Sequence, residues 1–395
     1  MKIYKQIDCF SYNLKFWKYL GICPFSIKSP LYKYYSIIFI IFYTITYDVL
    51  CAINLYFIPR HIDDFIEELI FFFTEIAEMS KVLTFFFMSG KIKDILNTLE
   101  SDMFQPETAK GINIIERAKT FNIRYWKIVG AVSTTSYLVH VMSPFLAHLI
   151  LKVKLILPIC SFSFLSDSVK EKFIYPLFFY QCSGMHFVML YNVNIDTFFL
   201  GLMIFLIAQL EILGEKFTVV ADCNEILENR SQTDPQRIDM ELIKKLNKAF
   251  IHYDEVRKFC NLIQEVFSVT LFVQFSMASC IICICLVRFT MPAPWQYYIF
   301  LTTYMFIMII QIMVPCFFGA RIMDKSCLLS QAIYTCDWIP RSKQFKSSMR
   351  FFVEHANQPL TIIGWKMFPL SLITFTSIMN SAYSFFTLLR HMQSR

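Results

Sequence analysis

The residues of this sequence best placed to do chemistry are charged side chains inside long apolar segments. Glu75, Glu78 and Lys81 lie within two helical turns of one another in the stretch 66–89. Charged groups are costly at membrane depth, so they mark ion paths, ligand pockets or internal ion pairs. Two interpretations stay open: a local Glu78–Lys81 pair facing the helix bundle, or the polar lining of a ligand pocket or ion path.

Two further acidic residues, Asp48 and Asp196, each stand alone in apolar surroundings. An unpaired charge in such a place is very costly, so a carboxylate there needs hydrogen-bond donors. We expect both to be hydrogen-bonded structural groups rather than ligand contacts.

Catalytic motifs are missing from the sequence. It has no phosphate-binding glycine loop, no His-Glu-x-x-His, no Gly-x-Ser-x-Gly and no pair of Cys-x-x-Cys motifs. Cys280, Cys283 and Cys285 lie in an apolar run without a histidine cluster, and we interpret them as small buried hydrophobic residues. We expect no catalytic residue, no metal site and no cofactor.

The composition is that of a polytopic membrane protein. Of 395 residues, 56% are hydrophobic and only 17% are charged, with a mean hydropathy of +0.49. Soluble domains carry about 25% charged residues, which a polar surface requires. The net charge of +7 therefore informs membrane sidedness, and we expect no nucleic-acid partner.

Seven apolar segments are long enough to cross a bilayer, which takes about 20 residues. They are 34–58, 66–89, 124–150, 173–213, 262–288, 296–319 and 367–389. The fourth would run roughly 60 Å as a helix, about twice the hydrocarbon thickness. Because its end from Gln209 to Lys216 is polar, we expect it to project into water. The predicted fold is an all-α membrane protein with seven transmembrane helices.

Orientation follows from the cations in the loops. The segments 1–33, 90–124, 214–261 and 320–366 hold 27 of the 37 Lys and Arg residues, and the opposite side holds eight. Since cytoplasmic loops carry the excess of Lys and Arg, the N-terminus is predicted to be cytoplasmic and the C-terminus extracellular. A G-protein-coupled receptor has the opposite orientation.

The cytoplasmic segments carry helical patterns of their own. Apolar residues recur at three- and four-residue steps over 239–263 and again over 326–356. With the projecting end of the fourth span, they predict a helical anchor layer. Its apolar faces need a partner, either the membrane surface or neighbouring subunits. Tyr334 and Trp338 are the residues we expect at subunit contacts.

The last span carries a family resemblance. The chain closes with Tyr383-Ser384-Phe385-Phe386-Thr387-Leu388-Leu389, similar to the closing Tyr-Ser-Tyr-Phe-Thr-Leu-Leu pattern of insect odorant receptors, with Phe385 in place of the second Tyr. Ala332-Ile333-Tyr334 and Trp338 resemble the helix before that family's last span. The overlong fourth span, with Asp196 before its inner half, and the inverted seven-helix plan also match. The Thr-Tyr…Gln-Phe ending of gustatory receptors is missing.

The resemblance implies a ligand-gated, non-selective cation channel of four subunits, joined mainly through the cytoplasmic layer, with the seventh span lining the pore. This chain would be the odorant-binding subunit, with a small volatile organic molecule as ligand and membrane lipid around it. Its partner would be a co-receptor that has a much longer loop after the fourth span. A gustatory-type channel, a G-protein-coupled receptor and a secondary transporter are the alternatives.

By the same resemblance, a ligand pocket lies in the outer halves of spans two, three, four and six, although each position could equally serve bundle packing. The residues it implies are Phe72, Glu75, Ile76, Tyr137, His140, Val141, Tyr180, Phe187, Tyr191, Tyr297, Leu301 and Tyr304. Leu388 and Met392, four residues apart on one helix face, match the outer hydrophobic narrowing of the family's pore.

The chain accordingly divides into five functional segments. They are 1–213 (helices 1–4 with the pocket), 214–261 (cytoplasmic loop and amphipathic extension), 262–319 (helices 5 and 6), 320–366 (helix of the anchor layer) and 367–395 (pore-lining helix 7 and a short extracellular tail).

Overall fold

A computed structural model describes residues 5–23, 30–58, 62–228, 235–292, 295–334, 338–339 and 341–393, and they are almost all helical. In chain order the helices are α1 (Ser11–Tyr19), α2 (Pro30–Ile40), α3 (Thr46–Phe57), α4 (Ile62–Phe87), α5 (Ser89–Leu99), α6 (Ala109–Leu151), α7 (Asp167–Lys172), α8 (Ile174–Glu228), α9 (Pro235–Arg288), α10 (Trp295–Tyr334), α11 (Lys343–Ala356) and α12 (Leu372–Gln393). Two short strands, β1 (Ile363–Gly364) and β2 (Phe368–Pro369), form an antiparallel hairpin. The chain is an all-α membrane protein, as predicted.

Five helices in the described part of the chain are long and apolar enough to cross a membrane. They are Pro30–Phe57 (α2 and α3, joined by a π-helical turn at Ile41–Ile45), Ala109–Leu151, Ile174–Thr218, Met240–Arg288 and Tyr297–Tyr334. They coincide with five of the seven predicted spans. The other two, α4 and α12, are more polar, but their 26 and 22 residues are sufficient for a crossing of about 30 Å.

The two longest described helices, α8 and α9, extend far beyond a bilayer. Helix α8 runs without a break for 55 residues, about 80 Å at 1.5 Å per residue, which confirms the predicted projection of the fourth span. Helix α9 has 54 residues and joins the amphipathic stretch 239–263 directly to the fifth span, also as predicted.

Helix α8 forms the centre of the bundle. In its apolar stretch 89% of the residues are buried, including Phe198, Leu202 and Phe205, and it packs against α1, α4, α6, α9 and α10. A helix that is apolar on all sides can be stable only where neighbours cover it completely. The other elements are therefore arranged around it.

The apolar face of α11 is buried within its own chain. The Phe352 ring stacks on Phe250 of α9 with centroids 4.6 Å apart, and it also contacts Phe217 of α8 and Tyr253 of α9. The sequence predicts that either the membrane surface or neighbouring subunits cover this face. The structure shows a third arrangement, in which α8, α9 and α11 cover one another.

A small electrostatic cluster joins the start of α6 to the anchor layer. Glu107 accepts a hydrogen bond from Lys248 at 2.8 Å and lies 3.8 Å from Lys216. Partial burial raises the pKa of Glu107, but the hydrogen bond from Lys248 and the two positive charges outweigh it, so the pKa lies below its ordinary value.

Helix α12 begins at Leu372, five residues after the predicted start of the seventh span. The hairpin of β1 and β2 occupies the preceding residues, and Pro369 ends it. Gly319 of α10 allows the hairpin to approach closely, because a Cβ atom there would overlap the carbonyl oxygen of Leu370. The position of α12 is thus tied to α10.

One buried lysine joins three helices in the middle of the bundle. The ammonium of Lys81 on α4 lies 2.8 Å from Asp196 and donates a 2.7 Å hydrogen bond to Asn192, both on α8. Gln311 of α10 donates to Asp196 at 2.9 Å. The predicted Glu78–Lys81 pair is present at 3.9 Å, but Asp196 is the closer partner. Asp196 is therefore a hydrogen-bonded structural group, as expected, and helix packing supplies the partners that the sequence around it does not show.

We expect Asp196→Asn to destabilise the fold by about 3 kcal/mol, because it leaves the charge of Lys81, whose side chain is 1% exposed, without its main counter-ion. The double variant Lys81→Met/Asp196→Asn should recover most of that loss, since it removes both charges. The midpoint of thermal unfolding of detergent-purified protein measures both effects.

Lys91→Met is the matched control for this prediction, since Lys91 pairs with Glu265 at the surface and such pairs contribute about 0–1 kcal/mol. An Asp196→Asn midpoint equal to that of Lys91→Met would contradict the prediction.

Candidate functional site

Aromatic side chains from three helices meet near the end of the bundle that carries the connecting segment 152–166. Phe71 of α4 lies 6.1 Å from the rings of both His140 of α6 and Tyr304 of α10, and Phe300 of α10 lies 5.8 Å from Tyr304. We call Phe71, His140, Phe300 and Tyr304 the outer aromatic cluster. It combines aromatic surface with a hydroxyl and an imidazole.

Hydrogen bonds hold the polar groups of this cluster in place. The Tyr304 hydroxyl is hydrogen-bonded to the Thr74 hydroxyl one turn from Phe71. His140 Nε2 lies 3.0 Å from the carbonyl oxygen of Pro158 in the connecting segment. Because both side chains are tethered, the cluster presents fixed polar atoms beside apolar rings.

Two further residues predicted for the pocket, Tyr297 and Leu301, lie near Phe300 on α10. The Tyr297 ring lies 6.1 Å from Phe300, and the Arg288 guanidinium lies 4.8 Å from the Tyr297 centroid. Leu301 is fully buried in the main core. The structure therefore brings His140, Tyr297 and Tyr304 together, with Leu301 as packing behind them.

A second group of predicted residues faces the first span instead. Tyr180 donates a 3.1 Å hydrogen bond to the carbonyl oxygen of Phe42, and Phe187 lies 4.4 Å from the Tyr43 ring. These α8 side chains pack against the helix Pro30–Phe57. Tyr180 also packs against the small core that contains Phe71 and Phe300, whereas Phe187 belongs to the main core.

A third group lies between α6 and α8. Tyr137 donates a 3.1 Å hydrogen bond to the carbonyl oxygen of Cys182, and its ring lies 5.2 Å from His186. Val141 is buried in the same small core. His186 was not among the predicted pocket residues.

The remaining predicted pocket residues are spread over other contacts. Tyr191 is buried and donates a 2.7 Å hydrogen bond to the carbonyl oxygen of Leu20, which joins α8 to the N-terminal segment. Phe72 and Ile76 are half-buried on α4.

Glu75 is buried on the side of α4 that faces the first span, and its carboxyl group is a neighbour of the buried carboxyl group of Asp48 on α3. Among the described residues no donor bonds to the Asp48 carboxylate oxygens, so the expectation that Asp48 is hydrogen-bonded is not confirmed. Tyr47 fits beside this pair because Gly184 has no side chain; a Cβ atom there would lie 2.6 Å from the Tyr47 ring.

Helix α12 carries a polar stripe on its exposed side. The stripe borders a surface groove of about 580 Å³ lined by Ile373, Thr376, Ser377, Asn380, Ser381, Ser384, Phe385 and Leu388. Leu388 is 56% exposed. Met392 lies on the same helix, but its side chain is outside the described residues.

Of the two residues predicted for subunit contacts, only Tyr334 presents a large free surface. It is 57% exposed at the end of α10, whereas Trp338 is half-buried against the core. Within the described part of the chain, no three His, Cys, Asp or Glu side chains are grouped as metal ligands.

Sequence reasoning missed Phe71, Phe300 and Thr74, which complete the outer aromatic cluster. The four-residue spacing of Phe300 and Tyr304 placed both on one face of α10, but apolar aromatics are too frequent in this chain for that spacing to single them out.

Three comparisons with known proteins all identify insect odorant receptors as similar to this chain. Residues 61–383 match the family model described as 7tm Odorant receptor. Odorant receptor 59a of Drosophila melanogaster is 25% identical, over 98% of each chain. Odorant receptor 67c of the same species is 28% identical over 38% of this chain and 37% of its own. The insect olfactory receptor OR5 from Machilis hrabei, solved in complex with eugenol, has the same fold, with a TM-score of 0.80, 16% identity, and coverage of 98% of this chain and 100% of its own.

Proposed function

The chain belongs to the 7tm odorant receptor family, and from that premise we propose that it is the odorant-specific subunit of a heteromeric, ligand-gated, non-selective cation channel. It would be a multi-pass protein of the plasma membrane of olfactory neurons, with its N-terminus cytoplasmic and its C-terminus extracellular. The matching family model describes odorant receptors, which favours this function over a gustatory-type channel.

The observation that carries this proposal is the polar stripe of α12. Ser381 and Ser384 bond to backbone carbonyls of their own helix at 2.9 and 2.8 Å, yet Asn380 remains on the groove surface. Lipid tails cannot solvate an amide, so polar side chains in membrane helices face protein or water. Several subunits that turn this stripe toward a common axis would enclose a water-filled path for ions.

The ligand would bind at the outer aromatic cluster. Phe71, Phe300 and Tyr304 supply apolar area, while the Thr74 hydroxyl and the His140 imidazole supply a few fixed polar atoms. Sites of this composition suit small organic molecules. The similar olfactory receptor from Machilis hrabei was solved with eugenol, a small phenolic molecule, which supports a ligand of that size and character.

Helix α10 connects the cluster to the pore helix. Tyr304 lies on α10, and fifteen residues later Gly319 holds the backbone at Leu370 against the same helix. A ligand that binds one position of α10 more tightly shifts the population toward it. The start of α12 would move with α10, and a small tilt would widen a narrowing formed by Leu388 and Met392.

Assembly would use the anchor layer. Its apolar faces are already buried within one chain through Phe352 and its neighbours, so each subunit would present a rigid surface, with Tyr334 exposed on it. Four subunits, this chain and its co-receptor, would then meet around one pore.

We expect this chain expressed alone to give little odorant-evoked current, and co-expression with the co-receptor to give robust current in oocytes. Large currents from the chain alone would refute the subunit assignment.

An epitope tag after Arg395 should be reachable by antibody on unpermeabilised cells, because the C-terminus is predicted to be extracellular. A tag seen only after permeabilisation would refute the orientation.

Replacing Tyr304 with Ala should raise the half-maximal concentration of active odorants about tenfold, or ~1.4 kcal/mol, because it removes ring area beside Phe71 and the hydroxyl bonded to Thr74. Phe306→Ala is the control, since Phe306 is a 60% exposed ring on the same helix. Concentration–response curves at equal surface expression measure the difference. Identical curves for the two variants would remove Tyr304 from the site.

Replacing Leu388 with Ser should raise the resting current, because apolar rings close a pore by excluding water and a hydroxyl weakens that exclusion. Leu372→Ser, at the opposite end of α12 and 46% exposed, is the control. Both variants are compared with and without the equivalent change in the co-receptor, whose subunits share the ring. A Leu388→Ser channel with normal expression, no leak and unchanged ion permeability would exclude Leu388 from the gate.

A further inference from the structure

Two cysteines from distant parts of the sequence meet at the outer end of the bundle. The thiol of Cys51 on α3 neighbours the thiol of Cys160, which lies in the connecting segment 152–166, inside one buried cluster of side chains. Both are free thiols in this structure and both are buried, at 7% and 4% exposure, within one small core. Two neighbouring thiols can be oxidised to a disulfide, which a single buried cysteine cannot form within one chain.

A buried glutamine fixes the position of Cys160. The Gln181 side chain of α8 donates to the Cys160 carbonyl oxygen at 2.7 Å and contacts its sulfur at 3.2 Å. Its oxygen accepts from the backbone N–H groups of Ile159 and Cys160 at 3.2 and 3.4 Å. Because Gln181 is fully buried, the backbone that carries Cys160 is held in one place.

Polar contacts on both sides hold the rest of the connecting segment to the first two spans. The Ser163 N–H donates a 2.5 Å hydrogen bond to Asn54 of α3, and the Ser161 N–H donates to Glu68 of α4 at 3.3 Å. Two residues before Cys160, Pro158 contacts His140 of the outer aromatic cluster. The segment thus lies across the outer end of the bundle, with the thiol pair at its middle.

We propose that Cys51 and Cys160 form a disulfide bond that covalently fastens the segment 152–166 to α3 and sets one wall of the odorant site. This rests on the proposed orientation, which places the segment on the extracellular side, where disulfides persist. The oxidant is the disulfide of a secretory-compartment oxidoreductase. One thiolate attacks that disulfide to give a mixed disulfide, and the second thiolate displaces the oxidoreductase. Two protons leave the cysteines, and the two electrons reduce the oxidoreductase to its dithiol.

The pairing is tested by differential alkylation of the full chain expressed in insect cells. Protein is denatured without reductant, labelled with one maleimide, reduced, labelled with a second maleimide, and mapped by mass spectrometry. We expect Cys51 and Cys160 to carry only the second label, and Cys51→Ser to transfer Cys160 to the first. First-label modification of both cysteines in the unaltered chain would overturn the proposal.

The functional readout is the response to a membrane-impermeant reductant applied to cells that express the chain with its co-receptor. We expect reduction to shift the odorant concentration–response curve severalfold, and the variant Cys51→Ser/Cys160→Ser to show no such shift. Cys9→Ser is the control, because Cys9 is equally buried but lies in the N-terminal segment beside Asn122, and its channel should respond to reductant as the unaltered channel does.

These outcomes separate the disulfide from the proposed channel function. A mapped Cys51–Cys160 link in a chain that gives no odorant-evoked current would sustain the disulfide and refute the channel assignment. Two free thiols in a conducting, odorant-responsive channel would refute the disulfide alone. A curve that reductant shifts equally in Cys51→Ser/Cys160→Ser and in the unaltered chain would refute the role of this pair in the odorant site.

Discussion

The arrangement of the bundle depends on one buried lysine. An ammonium group cannot be removed from water without an anion and further hydrogen-bond acceptors, because its desolvation is worth several kcal/mol. Lys81 meets this requirement only where α4 and α8 place it beside Asp196 and Asn192. Gln311 then brings α10 to the same carboxylate. Apolar packing alone would tolerate sliding between these helices, whereas this network specifies one relative position.

That fixed position matters because the three helices carry the parts of the proposed receptor. The outer aromatic cluster uses α4, α6 and α10, the central helix α8 supports them all, and α10 continues to the contact between Gly319 and Leu370 that positions α12. In the proposed receptor, a change in the cluster would be transmitted along α10 to this contact. A polar network in the bundle interior sets the reference position from which such a movement starts.

The single chain buries the apolar faces of its anchor layer but leaves the polar stripe of α12 exposed. Its anchor layer buries its own aromatic face through Phe352, and Trp338 is packed against the core. The stripe of α12 around Asn380, by contrast, is exposed in the single chain. It mixes hydroxyl-bearing and apolar residues, so neither lipid nor water alone suits all of them. The polar residues of α12 that border the groove lie on one face of that helix.

The sequence by itself determined the fold class, the unusual lengths of α8 and α9 and most of the helix positions, because composition and periodicity are local properties that survive in any packing. It also pointed to Glu78, Lys81 and Asp196 as unusual. Only the tertiary structure decided that Lys81 pairs with Asp196, that Asp48 neighbours Glu75, and that Tyr191 turns toward Leu20 instead of joining His140 and Tyr304. These outcomes depend on the relative rotation and depth of helices distant in sequence. The sequence of a helix such as α8 does not reveal them, because its apolar residues are spread over every face and only a few polar residues distinguish one face from another.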